Sequence, residues 1–490
     1  MELERQNTKK KELTKSLLLL TLIVVSGSFQ YGYNLWMVND PDSLQQDFQN
    51  ITYEKDKAKV GPNGNILMFL LAVTIAIFPI GALVGSLLIG LLVDRFGRKR
   101  TLLINDLLAI FSAICLGCSD VVNSHGFTIF ARFGTGMCSG IFDGVVPMYL
   151  GEISPVNWRG CINILSMLFV LIGLMVNMIC GHPQLLWLKK GKPIVMSFTA
   201  FVALLQLLLL LPFPESPRYL LIQKKNEEEA RQALKKLRDQ DDVEEEMEEI
   251  RQEYHYEREE KQINVSKLLC FKSLRRQLLC IVILKAGQEL SGINAAYFYM
   301  REIFLSTGAG EHNSWYSHFS TACFLIFSQA FAMYVIDSWG RRFLLLVGFG
   351  SCSILCILLT MTIQLKDTIS WMPYINMCFG ILLVGAHMFG PNLVPNLMIT
   401  ELFLQSSRSS AYAIGGCVRW FFNFLNGFTI LHVYNQIGTY IFLVYFPFSA
   451  GCFLYILKFV PETKKKTFLE IRRLMEMHIA KEKLVKAAVQ

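Results

Sequence analysis

The chain has 490 residues, 53% hydrophobic and only 18% charged, a far more apolar balance than a water-soluble domain carries. The surplus sits in long uncharged runs that no single soluble core of this length would bury, so a soluble globular protein is excluded. The formal net charge of +8 follows from Lys and Arg at cytoplasmic loop ends and calls for no nucleic acid.

In chain order, a basic start (Lys9, Lys10, Lys11) leads into an apolar run from Leu17 to Val38. No small-residue cleavage pattern follows, so this is a first span rather than a removed signal, with the amino terminus inside. Leu17–Val38, Ile66–Val93, Ile162–Cys180 and Phe198–Pro212 each approach or exceed the about 20 residues that cross a hydrocarbon core. The whole sequence offers about twelve such runs, the pattern of an all-α polytopic membrane protein. The sequon Asn50-Ile51-Thr52 falls in the first outside loop, where Asn50 is a glycan acceptor. The sequon at Asn264 lies in a loop placed inside and is expected to stay unmodified. The 13 cysteines are odd in number and scattered through apolar runs, as core-filling residues rather than a disulfide framework or metal site. No HExxH or phosphate-loop motif occurs, and no cofactor is expected.

Residues 214–275 form the only long hydrophilic stretch, with Glu, Lys and Arg at helical spacing. They read as a solvated cytoplasmic helical linker. The expected organisation is a cytoplasmic N-terminus (1–16), a six-helix bundle (17–213), the linker (214–275), a second six-helix bundle (276–460) and a cytoplasmic tail (461–490).

The two bundles repeat one phrase. "LLVDRFGRKR" from residue 91 returns as "IDSWGRRFLL" from residue 336, with Asp94 and Asp337 offset by 243 (337 − 94). Glu152 and Arg159 recur as Glu401 and Arg408, and "PESPR" at 214–218 recurs as "PETKK" at 461–465, pairing Glu215 with Glu462. Three motif pairs in one order mark a duplicated six-span unit. Topology-setting positive charges alone would not explain the recurrent acids. Asp94, Arg95, Arg98, Glu152, Arg159 and Glu215, with Asp337, Arg341, Arg342, Glu401, Arg408 and Glu462, therefore read as a network that closes the cytoplasmic mouth and parts when it opens.

These phrases, together with "YLGEISPVNWRG" (149–160), "PESPRYLL" (214–221) and "GQELSGINAAYFY" (287–299), resemble the sugar porter family of the major facilitator superfamily. "FQYGYN" (29–34), "DTISWMPYI" (367–375) and "TELFLQSSR" (400–408) are most similar to the fructose-type branch of facilitative hexose transporters. The resemblance implies two six-helix bundles, a sugar site between them at mid-membrane, and uniport by alternating access across the plasma membrane.

A neutral sugar needs amide, hydroxyl and aromatic partners, and polar residues inside apolar spans are the place to look for them. Gln30, Tyr31, Tyr33 and Asn34 qualify in the first span, and Gln288, Ser291, Asn294, Tyr297 and Tyr299 in the seventh, where Gly287 and Gly292 allow a helix break. In the tenth, His387, Asn392 and Asn396 surround Gly390, Pro391 and Pro395; a lone buried His is often a structural partner, but the Gly-Pro break favours a site. By resemblance, Gln288 and Asn294 are sugar contacts, Tyr297 and Tyr299 close the outer side, and Tyr33 and His387 belong to the fructose-type pocket. Asn396 replaces a tryptophan floor, and Trp420 is kept.

Three departures stand out. Met167 occupies the place of a sugar-binding glutamine, and losing one buried polar contact is worth about 1–3 kcal/mol, or roughly 5- to 150-fold in affinity. Glu289 stands beside Gln288 with Lys285 one turn earlier, a spacing that lets the two charges neutralise each other. Arg419 replaces a histidine before Trp420. In one reading Lys285–Glu289 is a self-contained pair, Arg419 reaches a carbonyl or water, and a weakened hexose site remains. In another, a cationic Arg419 selects an organic anion such as urate. A transport-impaired copy is a third.

Proton coupling is disfavoured, since Asn34 stands where the resemblance places a proton-carrying acid. A non-transporting sugar sensor is disfavoured by the short basic tail, and an enzyme by the absence of any clustered nucleophile, base and orienting group. The expected partners are a small sugar and the lipid bilayer, with no oligomer required.

Overall fold

A computed structural model describes residues 14–36, 64–122, 124–155, 157–180, 192–257, 264–271, 274–297, 299, 314–365, 368–369, 371–464, 466, 470–471 and 473–474. Among them there is no strand. The first half contributes α1 (Lys15–Trp36), α2 (Gly64–Phe96), α3 (Arg98–Gly117), α4 (His125–Ile153), α5 (Arg159–Cys180) and α6 (Lys192–Leu210). The linker contributes α7 (Glu227–Arg238) and α8 (Glu244–Glu257). The second half contributes α9 (Arg275–Glu289), α10 (Ser314–Trp339), α11 (Arg341–Gln364), α12 (Met372–Phe389), α13 (Val394–Leu402), α14 (Gln405–Ile437) and α15 (Ile441–Phe459). Asn50 lies outside the described residues, as does the side chain of Asp337.

Ten helical segments among the described residues are long and apolar enough to cross a membrane, which makes the chain a multi-pass membrane protein. α4 and α14 have the length, at 29 and 33 residues, but carry Arg132, Asp143 and Glu152, and Arg408 and Arg419. Their polar faces meet protein rather than lipid. Within the first half α2 packs on α4, α1 on α5 and α3 on α6; within the second, α11 packs on α15 and α12, and α9 on α14. α2 against α14 and α5 against α10 join the halves.

The repeated phrase has a physical cause. Gly97 and Gly340 adopt φ of +93° and +92°, a left-handed region that glycine enters without steric cost. Each turn swings the chain straight into a new helix, whose first N–H groups need an acceptor from elsewhere. Glu215 accepts from the backbone N of Arg98 and Lys99, both at 3.0 Å, and Glu462 from those of Arg341 and Arg342, both at 3.0 Å. A Cβ at either glycine would meet the capping carboxylate at 2.6 Å. Glu215 and Glu462 thus act inside their own halves, as helix caps rather than as charges pairing across the mouth.

The linker departs from a solvated connector. Ala230, Ala233 and Leu234 of α7 and Met247 and Ile250 of α8 are buried with Tyr219, Leu220 and Leu221 in a core of their own, while Leu237 packs into the main core of the bundles. The hydroxyl of Thr14 donates to Leu237 O at 2.6 Å, Arg238 Nη2 to Ile153 O at 3.0 Å, and Ser406 N to Glu257 Oε2 at 3.1 Å. The linker helices therefore touch both halves on one side of the molecule, here called the linker side.

Candidate functional site

α9 stops at Glu289 because Leu290–Gly292 leave helical geometry, Gly292 at φ +91°. Gly287, expected to share the break, stays helical; its missing side chain admits Cys452 Sγ, which a Cβ would meet at 2.4 Å. The tenth span breaks between α12 and α13 at Gly390–Leu393, with Gly390 against Leu344 O and Pro391 against Gly348. Two helix breaks side by side expose polar groups at the depth where helices otherwise satisfy their own.

The polar residues of the two breaks hold one another. Gln288 Nε2 donates to Asn392 Oδ1 at 2.9 Å, and Ser291 Oγ and His387 Nδ1 share a hydrogen bond of 2.7 Å. Lys285 Nζ donates to Asn396 Oδ1 at 2.5 Å. All six side chains are buried. Gln288 Oε1, Asn396 Nδ2 and Trp420 Nε1 have no hydrogen-bond partner. The arrangement offers acceptors and donors to a hydroxyl-rich neutral molecule, with the indole of Trp420 edge-on to Tyr31 (5.8 Å) and Phe78 (5.9 Å).

The charges do not pair as their spacing predicts. Glu289 turns away from Lys285 and accepts from Arg419 Nε at 3.2 Å and Asn423 Nδ2 at 2.9 Å, with Asn294 Nδ2 at 3.4 Å. Arg419 does not end on a carbonyl or water; its Nη1 donates to Asp143 Oδ1 at 2.6 Å, on α4 of the other half. Asn426 Nδ2 caps the broken end of α9 through Glu289 O at 2.7 Å. A three-dimensional set wins over the one-turn pair because Asp143 and Asn423 give Arg419 and Glu289 several bonds at once, which a single flexible lysine does not.

On the linker side the repeated acids and bases form two matching networks. Arg98 Nε meets Glu152 at 2.9 Å with Ser216 Oγ on the same carboxylate at 2.5 Å; Arg341 Nη2 meets Glu401 at 3.1 Å with Thr463 Oγ1 at 2.5 Å. On this side Arg408 Nη1 reaches across the halves to Glu152 Oε1 at 3.4 Å. Arg159 is buried and lines a cavity of about 180 Å³ with Arg218, Arg238 and Glu249. Arg95 takes no part: it is exposed and lies over Phe96 at 5.5 Å. Asp94 is half-buried, and Arg342 bonds Leu457 O at 2.6 Å within its own half.

Comparison with known proteins decides the family. Residues 20–475 match the family described as "Sugar (and other) transporter". The chain belongs to that family. Its relatives among the sugar transporters include "Solute carrier family 2, facilitated glucose transporter member 5" of mouse, 45% identical over 97% of this chain and 95% of the relative, and of human, 44% identical with the same coverage. Human member 7 is 40% identical over 95% of this chain and 91% of its own. Among solved structures, the proton:xylose symporter XylE bound to 6-bromo-6-deoxy-D-glucose matches with a TM-score of 0.81 at 21% identity, covering 95% of this chain and 100% of that one. The fold is thus that of the major facilitator superfamily, and the family consists of transporters, not enzymes.

Within this sugar transporter, other expected site residues are placed apart from the cluster. Tyr33 is buried in the first half, its hydroxyl donating to Val195 O at 2.8 Å and its ring 5.4 Å from Phe198, so it faces α6. Met167 is buried on α5 in an apolar cluster with Val170. Tyr299 is buried edge-on to Phe442 at 6.0 Å, near Leu171 of α5; Tyr297 packs against the same cluster. Sequence reading missed Asp143, Asn423 and Asn426. An acid between Phe142 and Gly144 deep in an apolar helix was the available signal for the first.

Proposed function

We propose that this chain is a facilitative hexose uniporter, fructose before glucose, working by alternating access in the plasma membrane with both termini cytoplasmic. The linker side is then the cytoplasmic side, Asn50 carries an outside glycan, and residues 17–213 and 276–460 are the two moving bundles. The observation that supports this best is the cluster of Gln288, Asn392, Asn396, Ser291 and His387 at two adjoining helix breaks, with Gln288 Oε1, Asn396 Nδ2 and Trp420 Nε1 unpartnered. It is a set of neutral donors and acceptors, which suits a polyol. The relatives carry "facilitated glucose transporter" in their names, and the fructose preference rests on the sequence resemblance.

The cycle follows from the same contacts. Sugar hydroxyls entering between Gln288 and Asn396 draw α9 and α13 toward the first bundle. Tyr297 and Tyr299 close above, and the Glu152–Arg408 contact parts below. Asn34 carries no proton and Glu289 is engaged by Arg419, so the transport step moves sugar alone. An organic anion is disfavoured because the guanidinium it would need already holds two carboxylates.

The test is uptake of labelled fructose, glucose and urate into liposomes carrying the purified protein. Saturable fructose uptake that needs no proton gradient is the expected result. Urate uptake, or sugar uptake only with an inward proton gradient, overturns the reading.

A further inference from the structure

We propose that Asp143 is a specificity-determining residue: by holding Arg419 it keeps the polar site between the halves closed to organic anions. The proposal rests on the hexose reading above and deepens it. Four ionisable side chains lie together between the halves, Lys285 and Arg419 against Asp143 and Glu289. With all four ionised their charges cancel. The cancellation is geometric as well as arithmetic: Arg419 meets Asp143 at 2.6 Å and Glu289 at 3.2 Å, with each of the three side chains at most 10% exposed.

The guanidinium fork is the side chain best shaped to grip a carboxylate. Left free at this depth it would draw an anion from water, and here both of its engaged edges are taken by resident carboxylates. Lys285 does not compete with it for those carboxylates, since its bond goes to the amide of Asn396. Asp143 differs from Glu289 in one respect. Glu289 and Arg419 belong to the same half, whereas Asp143 reaches Arg419 from α4 of the other. The first half thus closes the guanidinium to solutes each time the two halves are in register.

Removing the carboxylate charge of Asp143 or of Glu289 leaves one positive charge unbalanced beside Gln288. In a buried site that is worth about tenfold or more in affinity for an opposite ion. A hexose-sized monoanion, gluconate, is the probe.

The experiment compares wild type, Asp143→Asn, Glu289→Gln and the double variant Asp143→Asn/Arg419→His. It reads fructose and gluconate uptake in liposomes, and protection of the purified proteins from thermal unfolding by gluconate. The expected result is fructose uptake with background gluconate uptake in wild type. Both single variants gain gluconate binding and uptake by about tenfold or more, and the double variant, with its charges balanced again, loses the gain. Glu289→Gln frees the same guanidinium from its other side, so the idea stays testable where Asp143→Asn does not fold, and the binding readout covers a variant locked in one state. Folded single variants that gain no gluconate binding overturn the proposal, as does a wild type that takes gluconate as readily as fructose. A wild type without hexose uptake whose single variants gain gluconate would sink the hexose reading and leave the role of Asp143 standing.

Discussion

Glu152 on α4 and Arg408 on α14 meet at 3.4 Å across the two halves, while Glu152 also holds Arg98 of its own half at 2.9 Å. The same two helices meet again at Asp143 and Arg419, nine residues before Glu152 (152 − 143) and eleven after Arg408 (419 − 408). At a helical rise of about 1.5 Å per residue the second contact lies some 14 to 17 Å deeper, about half-way through a hydrocarbon core. α4 and α14 are thus joined by two rungs, and under the proposed alternating access both part when the linker side opens.

The lower rung makes the first prediction. Glu152→Gln leaves Arg98 and Arg408 buried without their shared carboxylate, and breaking a buried pair in this way costs about 3–5 kcal/mol. The part that Arg98 carries is paid in both arrangements, but the part that Arg408 carries falls on the closed one, so the variant populates the linker-open one. Hydrogen exchange at the first turns of α9 and α14 should rise in Glu152→Gln while the distal ends of α5 and α10 stay protected. Unchanged exchange at those turns would show that the contact does not hold the mouth.

A second prediction separates the one-turn pair from the observed partner of Lys285. Asn396→Leu removes the oxygen at 2.5 Å from the ammonium and should lower thermal stability by about 1–3 kcal/mol, the cost of an orphaned buried polar group. Lys285→Met combined with Asn396→Leu should recover most of it. Were Glu289 the partner instead, Asn396→Leu would be near neutral and the two substitutions would add.

That contrast also shows how far the sequence is legible. The duplicated phrases were readable because each is a short run written once per half, although the acid that caps the helix after each glycine turn comes from a separate phrase, 117 residues on for Glu215 and 121 for Glu462. The polar residues of the two broken spans stood out for the same reason, against an apolar background. The charge pairs did not, because Glu289 has a lysine four residues away in sequence but its bonds run to Arg419, 130 residues on, and Arg419 reaches Asp143, 276 residues back. Helical spacing reports what a helix offers itself and is silent about what a neighbouring helix offers better. Tyr33 is similar: its position in the first span was plain, but which neighbouring helix its hydroxyl would choose was not.

The third prediction concerns α5. Met167 is buried in an apolar cluster of α5, at the position to which the family resemblance assigns a sugar-binding glutamine, and on the hexose proposal an amide there adds a donor and an acceptor for the sugar. Met167→Gln should lower the KM for fructose by a factor within roughly 5 to 150, with little change in maximal rate. An unchanged KM in folded protein would mean that this face of α5 does not reach the sugar.

The last prediction turns on pH at the linker. Burial, then the neighbouring Glu253, pushes the Glu257 carboxyl up from its usual 4.5 to about 8, with Arg408 pulling the other way. A carboxyl whose folded value is raised favours the docked state most when protonated, so its contribution is complete below pH 4.5 and is lost as pH rises through about 8. The carboxylate sits where α8 meets the start of α14: Ser406 N donates to it, a bond that favours the ionised form but only partly offsets the burial and the repulsion from Glu253. Exchange protection along α8, corrected for the intrinsic rate, should therefore fall progressively from about pH 4.5 to about pH 8 and level off above it. In Glu257→Gln, which cannot ionise, the profile should be flat. Because α14 carries both Arg408 and Arg419, a linker that loosens at high pH should also ease opening of the linker side, and fructose exchange should accelerate over the same window in wild type but not in the glutamine variant. A wild-type profile as flat as that of Glu257→Gln would show that this carboxyl is already ionised at neutral pH and that α8 is held by its apolar core alone.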